Sequence, residues 1–226
     1  MAASHRDWTA FNGHRFFFLF LYLMASLVFY PFVREGTVGY FIFRVAGSAG
    51  ILLTVYVISM RRTILTAALL LAIPALFERM VPLRVDVMGV RFLPLFNTAL
   101  SFAFDVLVVV IIFRRVFTKE EPKSETIFGA LCIYLLVGFS FASAYGMVAA
   151  LQHGAFYLNP LSNLHTVPER FDFVYYSFAI ITSLGAAGMV PVSPQARSLS
   201  VIEAILGILY LAVLISRLVS AYKRQA

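Results

Sequence analysis

Charge is scarce in this 226-residue sequence: Asp, Glu, Lys and Arg make up 13% of it, against 61% for hydrophobic residues. A water-soluble domain of this size needs far more polar side chains to cover its surface, so water is not the solvent of this chain. Cysteine is almost missing. The lone Cys132 excludes an intrachain disulfide and reads as a small hydrophobe within an apolar run. The four histidines, His5, His14, His153 and His165, are too dispersed to form a metal set; the last two read as solvated loop residues. No Walker loop, G-x-S-x-G, C-x-x-C or H-E-x-x-H pattern is present, which removes the commonest signatures of enzymes. The expectation is a protein that is not an enzyme. Nor does any long basic run stand apart from the apolar segments, so the net charge of +7 does not point to a nucleic-acid partner.

What the sequence has is length in its apolar runs. A helix needs about 20 mostly apolar residues to cross a bilayer. Residues 16–33, 45–60, 63–77, 92–113, 126–151 and 198–216 meet or approach that requirement. The third is the weakest, since it contains Pro74 and ends at Glu78 and Arg79. The fourth is interrupted by Asp105, for which Arg44 is a candidate partner, and the sixth by Glu203. A seventh apolar stretch, residues 173–189, is rich in Gly and Ala and runs into Pro191 and Pro194, so it reads poorly as a spanning helix. Irregular backbone at membrane depth is tolerated only where protein buries it or where it lines a water-filled cavity, which makes this stretch a re-entrant loop.

Lys and Arg accumulate on the cytoplasmic side of a membrane. With the N-terminus inside, 11 of the 18 Lys and Arg residues fall on the inner side, among them Arg61, Arg114, Arg115, Lys119 and Lys223. Both termini are therefore expected in the cytoplasm. The first apolar run has no small-residue cleavage site after it, so it is expected to be a retained helix.

The last hundred residues have a specific order: long helix, polar loop, short helix beginning near Asp172, Gly/Ala-rich turn, two prolines and a final helix. The residues FVYYSF at 173–178, TSLGAAGMVP at 182–191, ARSLS at 196–200 and Gly207 in the final helix resemble the potassium-channel superfamily, in particular its bacterial six-helix members. The resemblance is good from Asp172 to about Ser220 and moderate over 126–151. The first 120 residues match only as four helices ahead of a pore. It implies a pore helix tilted into the membrane, with the carbonyls at its C-terminal end favouring a cation. It also implies a filter at Thr182, Ser183, Leu184, Gly185, Ala186, Ala187 and Gly188, and an inner helix hinged at Gly207. Below that hinge, Ile208, Leu211, Ile215 and Val219 would form an apolar inner gate, their spacing keeping them on one side of a helix.

The filter departs from the family pattern T-V/L-G-Y-G-D. Ser183, Leu184 and Gly185 keep its first half, but Ala186 stands in place of Tyr, Ala187 in place of the second Gly and Gly188 in place of Asp. A filter that strips water from K⁺ needs rings of backbone carbonyls, and Gly turns them inward because it reaches positive φ without penalty. Ala in the left-handed region costs about 1–2 kcal/mol in each subunit. The expectation is a shorter or wider constriction with weakened K⁺ selectivity.

Four further positions carry two readings each. Tyr175 and Tyr176 serve either as supports of the filter or as interfacial anchors. Gly207 is a hinge or a helix-contact glycine. Glu203, an intramembrane acid, either hydrogen-bonds to Thr182 or Ser183 and lends the upper pore a negative field, or is a structurally satisfied acid. The fourth run lacks the Arg or Lys at every third position that a voltage sensor requires, so gating by that mechanism is not expected.

These readings combine into an all-α membrane protein with six transmembrane helices plus a re-entrant pore helix and filter loop. Residues 1–120 form a four-helix N-terminal domain, and 121–226 form a pore domain of outer helix, pore helix, filter loop and inner helix. One re-entrant loop cannot enclose a pore, so the resemblance implies a homotetramer. By the same resemblance the protein is expected to conduct monovalent cations, K⁺ and with weakened selectivity Na⁺, to need no cofactor, and to sit in a bacterial inner membrane with the lipid bilayer as its other partner. The alternative is a non-conducting scaffold or regulatory subunit that keeps the channel fold.

Overall fold

The computed structural model describes residues 15–29, 50–51, 53–55, 66, 92–118, 124–161, 163, 166–185 and 188–223. Its elements, in chain order, are α1 (Arg15–Phe29), α2 (Phe92–Thr118), α3 (Ser124–Leu151), β1 (Phe156–Leu158), α4 (Arg170–Ile181), β2 (Met189–Pro191) and α5 (Pro194–Lys223). The expected second and third apolar helices lie almost wholly outside the described residues, as do Arg44, Ala186 and Ala187.

Among the described residues, two helices are long and apolar enough to cross a bilayer: Thr126–Leu151 within α3 and Pro194–Arg217 within α5. At 1.5 Å per residue they extend about 39 and 36 Å, more than the hydrocarbon thickness of roughly 30 Å. The described part of α1 is apolar but only 15 residues long. Helix α2 has 27 residues and carries Asp105, Arg114 and Arg115.

The chain divides into two compact units. The first takes in the described residues of Met1–Pro82 and Leu107–Leu135, the second those of Leu83–Val106 and Leu136–Ala226, so both α2 and α3 contribute to each. In the first unit, α1 buries Phe16, Leu19 and Leu23, spaced along one helical face. Val108, Ile112 and Val116 of α2 and Ala130, Cys132 and Ile133 of α3 are buried in the same unit. The Cys132 thiol is fully buried and donates to the carbonyl of Phe16 at 3.4 Å. Phe17 meets Phe128 edge to face at 5.0 Å, and the Arg115 guanidinium lies over the Phe16 ring at 5.0 Å.

The second unit holds β1, α4, β2 and α5, with the later part of α3, around an aromatic core. Phe156 from β1 sits 5.5 Å from Phe173, 5.6 Å from Tyr176 and 5.7 Å from Tyr145, each edge to face. Edge-to-face contacts at these separations place the positive rim of one ring on the negative face of the next. Strand β1 pairs antiparallel with β2, Phe156 opposite Pro191, Tyr157 opposite Val190 and Leu158 opposite Met189. This two-stranded ribbon is an addition to the all-helical expectation. It ties the segment after α3 to the segment after the Gly/Ala turn, and the Gly188 carbonyl extends it by accepting from Asn159 N–H at 2.9 Å and Asn163 Nδ2 at 2.8 Å.

Local chemistry accounts for the ends of the two helices that follow. At the start of α4 the Asp172 carboxylate reaches back to accept the Glu169 N–H at 2.7 Å, satisfying a donor that the helix leaves open. At the start of α5 the Ser193 hydroxyl accepts the Ala196 N–H at 3.2 Å, with Pro194 in the first helical position, where its missing N–H and fixed φ cost nothing.

Candidate functional site

Helix α4 has 12 residues, about 18 Å of helix, which is too short to cross an apolar layer of roughly 30 Å. Two glycines bring its neighbours close. On α3, a Cβ at Gly138 would stand 2.8 Å from the Phe178 ring, so the ring packs against the bare backbone and would have to turn aside for any larger residue. On α5, a Cβ at Gly207 would stand 2.6 Å from the Ile181 carbonyl oxygen. Helix α4 is therefore gripped by one glycine contact from each flanking helix.

Glu203 lies between these contacts and is completely buried. Its Oε2 accepts from the Tyr145 hydroxyl of α3 at 2.5 Å, and its Oε1 lies 2.5 Å from the Ser177 hydroxyl of α4. Ser177 Oγ is also 2.7 Å from the Gly138 carbonyl. One carboxyl group thus bridges all three helices. A second bridge runs beside it: Ser200 donates to the Ala196 carbonyl at 2.8 Å, leaving Tyr176 to donate to Ser200 at 2.7 Å. The expected partners of Glu203 were Thr182 or Ser183; the structure gives it Tyr145 and Ser177.

The chain leaves α4 through a tight turn. Ser183 N–H donates to Ile180 O at 3.0 Å and Leu184 N–H to Ala179 O at 2.9 Å, with Ser183 at a φ of 59°. This is a Schellman closure with serine in the left-handed position where glycine is usual. Gly185 N–H also reaches Ala179 O at 3.2 Å, and Phe178 O accepts both the Thr182 N–H and its hydroxyl. The carbonyls of Phe178, Ala179 and Ile180 are therefore engaged by the turn itself, which reduces what the helix end offers a cation. Gly185 and Gly188 take φ of 92° and 89°. With Ser183 they make three left-handed positions at a spacing of two and then three residues.

The remaining expected site residues fall into three groups. Thr182, Ser183, Leu184 and Gly185 are exposed at the tip of the turn, Leu184 with 73% of its surface open, and Gly188 is half-buried. Tyr175 is exposed while Tyr176 is buried in the aromatic core. Helix α5 runs through Gly207 without a break. Ile208, Leu211, Ile215 and Val219 are all exposed, roughly a quarter turn around α5 from the face that carries Glu203 and Gly207. Among the described residues, no group of acids, histidines and cysteines could hold a metal ion. Sequence reasoning missed Tyr145, Gly138, Asn163 and the β ribbon. The signals available for the first two were a hydroxyl-bearing ring and a glycine in α3, but the helix also carries Tyr134, Ser140, Ser143, Gly129 and Gly146, so nothing in the sequence singled them out.

Residues 126–224 match the protein-family model described as an ion channel. The match begins in α3 and ends past α5, and it covers a little under half of the chain. No curated protein and no solved structure matches the sequence.

Proposed function

We propose that the chain is one subunit of a homotetrameric ion channel that conducts monovalent cations with weak discrimination between K⁺ and Na⁺. The observation that carries this reading is a 12-residue helix, too short to span, gripped between two helices of bilayer length and ending in an exposed turn, all within the segment that matches the ion-channel family. Four copies around an axis would bring four such turns together. Ile208, Leu211, Ile215 and Val219, exposed in the single chain, are then available to line the path beneath them. An exposed ring of apolar side chains can close such a path by dewetting.

Weak selectivity follows from the backbone of the turn. A dehydrating filter requires an extended strand with its carbonyls in register along the axis. Here the N–H groups of Ser183, Leu184 and Gly185 fold back onto α4, so the residues aligned with the first half of that filter do not run as an extended ladder. The path is expected to admit partly hydrated K⁺ and Na⁺. The same reading puts the subunit in the plasma membrane of a bacterium with both termini cytoplasmic, an orientation that the asymmetry of Lys and Arg supports.

The test is reconstitution of purified protein into liposomes loaded with K⁺, followed by tracer uptake after dilution into a medium whose K⁺ is replaced by an organic cation too large to permeate. Uptake abolished by collapse of the K⁺ gradient is the expected result. Uptake no greater than in empty liposomes would replace this reading with that of a non-conducting scaffold.

A further inference from the structure

We propose that Glu203 is a neutral carboxylic acid that donates its proton to Ser177, and that it is the positioning residue that pegs the pore helix between its two neighbours. It does not supply negative charge to the conduction path. The inference takes the channel reading as its setting but stands on hydrogen-bond bookkeeping.

The Ser177 hydroxyl has one proton and two oxygen neighbours, the Gly138 carbonyl at 2.7 Å and Glu203 Oε1 at 2.5 Å. A carbonyl can only accept, and an ionised carboxylate can only accept. With Glu203 ionised, Ser177 satisfies one neighbour and faces the other with no proton between two oxygens. With the proton on Oε1, every contact has a donor and an acceptor: Glu203 donates to Ser177, Ser177 to Gly138 O, and Tyr145 to Oε2. The nearby Tyr176 hydroxyl is committed to Ser200 and does not alter the count. Among the described residues the partners of Glu203 are two hydroxyl groups, and an ionised carboxylate so placed in a fully buried site would lack a compensating cation.

The arrangement has a directional consequence. The chain of donors runs from α5 through α4 to α3, from Glu203 to Ser177 to Gly138, so one proton fixes how far α4 sits from both flanking helices. Glutamine reproduces that pattern, with its amide N–H₂ toward Ser177 and its carbonyl toward Tyr145; alanine reproduces none of it.

Infrared spectra of the protein reconstituted in lipid at neutral pH test the proposal directly. The wild type minus E203Q difference is expected to contain the carbonyl stretch of a protonated carboxyl group, and S177A, by removing its acceptor, to move that band to higher frequency. E203Q is expected to keep the assembly and cation uptake of the wild type, and E203A to lose both. A difference spectrum that loses a carboxylate band instead of a protonated one would overturn the proposal. If E203Q fails to assemble, the S177A shift alone decides: an unmoved band is equally fatal. Uptake without the band would defeat this inference and spare the channel reading, while the band without uptake would do the reverse.

Discussion

Gly207 and Ile181 meet backbone to backbone, close enough that a methyl group added to Gly207 would stand 2.6 Å from the Ile181 carbonyl oxygen and 2.7 Å from its Cγ1. Helix propensity alone would favour alanine at Gly207 by about 1 kcal/mol. The backbone oxygen cannot rotate away, so α4 or α5 has to move, and such overpacking costs about 1–3 kcal/mol. G207A is therefore expected to lower the thermal unfolding midpoint of the detergent-solubilised protein, whereas G146A, whose nearest side-chain atom is 3.9 Å away, leaves it unchanged or raises it. Equal behaviour of the two variants would mean that the glycine contact does not hold the helices.

Gly138 makes the parallel contact on the other side of α4, but against the far end of a side chain. Its added Cβ would be 2.8 Å from Cζ of Phe178, and that ring can turn. G138A is accordingly expected to cost less than G207A, and the pair G138A/F178L to recover most of the loss by making room. Thermal unfolding of the single and double variants, read as a cycle, checks the coupling.

These two contacts also mark what the sequence could and could not tell. The order of long helix, short helix, turn and final helix was legible because bilayer length and an uninterrupted apolar run are local properties. α4 falls at Arg170–Ile181, close to the expected start at Asp172. Glu203 stood out as an acid in an apolar helix, but its partners did not, because Tyr145 lies 58 residues away and Ser177 26. Only the packing of three helices brings them together. The β ribbon was invisible for a similar reason: three-residue strands carry too little alternation to be read, and their pairing joins segments on either side of α4. For Gly207, the two readings of hinge and contact differ in tertiary surroundings that no spacing encodes.

Ser183 offers a test of the turn. It holds a left-handed φ of 59° that glycine adopts without the Cβ penalty. S183G is expected to stabilise the protein by up to about 1 kcal/mol, and S183V, with a branched Cβ, to destabilise it by more than that. Thermal unfolding distinguishes them, and a destabilising S183G would show that the serine hydroxyl matters more than its backbone.

Asn163 ties the outer end of the turn to the segment after β1, donating to the carbonyls of both Gly188 and Asn159. N163A removes those two bonds but leaves the backbone bond from Asn159 N–H to Gly188 in place. A net hydrogen bond contributes about 1 kcal/mol, so a modest loss of stability is expected. The more telling readout is faster hydrogen exchange at the amides of the β ribbon, with the core of α3 unchanged.

Selectivity is where the backbone geometry makes its strongest demand. The turn after α4 folds three consecutive N–H groups back onto the helix, and its left-handed residues, Ser183, Gly185 and Gly188, do not follow the spacing by two that an evenly alternating carbonyl ladder uses. Reversal potentials measured in planar bilayers under opposed K⁺ and Na⁺ gradients are therefore expected to lie near zero, far from the K⁺ equilibrium value. The triple variant A186Y/A187G/G188D restores the residue types of the family pattern. It is expected to shift the reversal potential toward K⁺ if the rest of the scaffold can carry an extended filter, and adding S183V should keep or enlarge that shift, because a β-branched residue disfavours the left-handed turn and favours extended backbone. In the same bilayers, I215N places a polar group in the apolar face below Gly207 and is expected to raise the leak by wetting the path. A strongly K⁺-selective wild type would mean that assembly pulls Ser183, Leu184 and Gly185 out of the Schellman turn and straightens them. Slowed exchange of those amides in the monomer, lost in the tetramer, would be the accompanying sign.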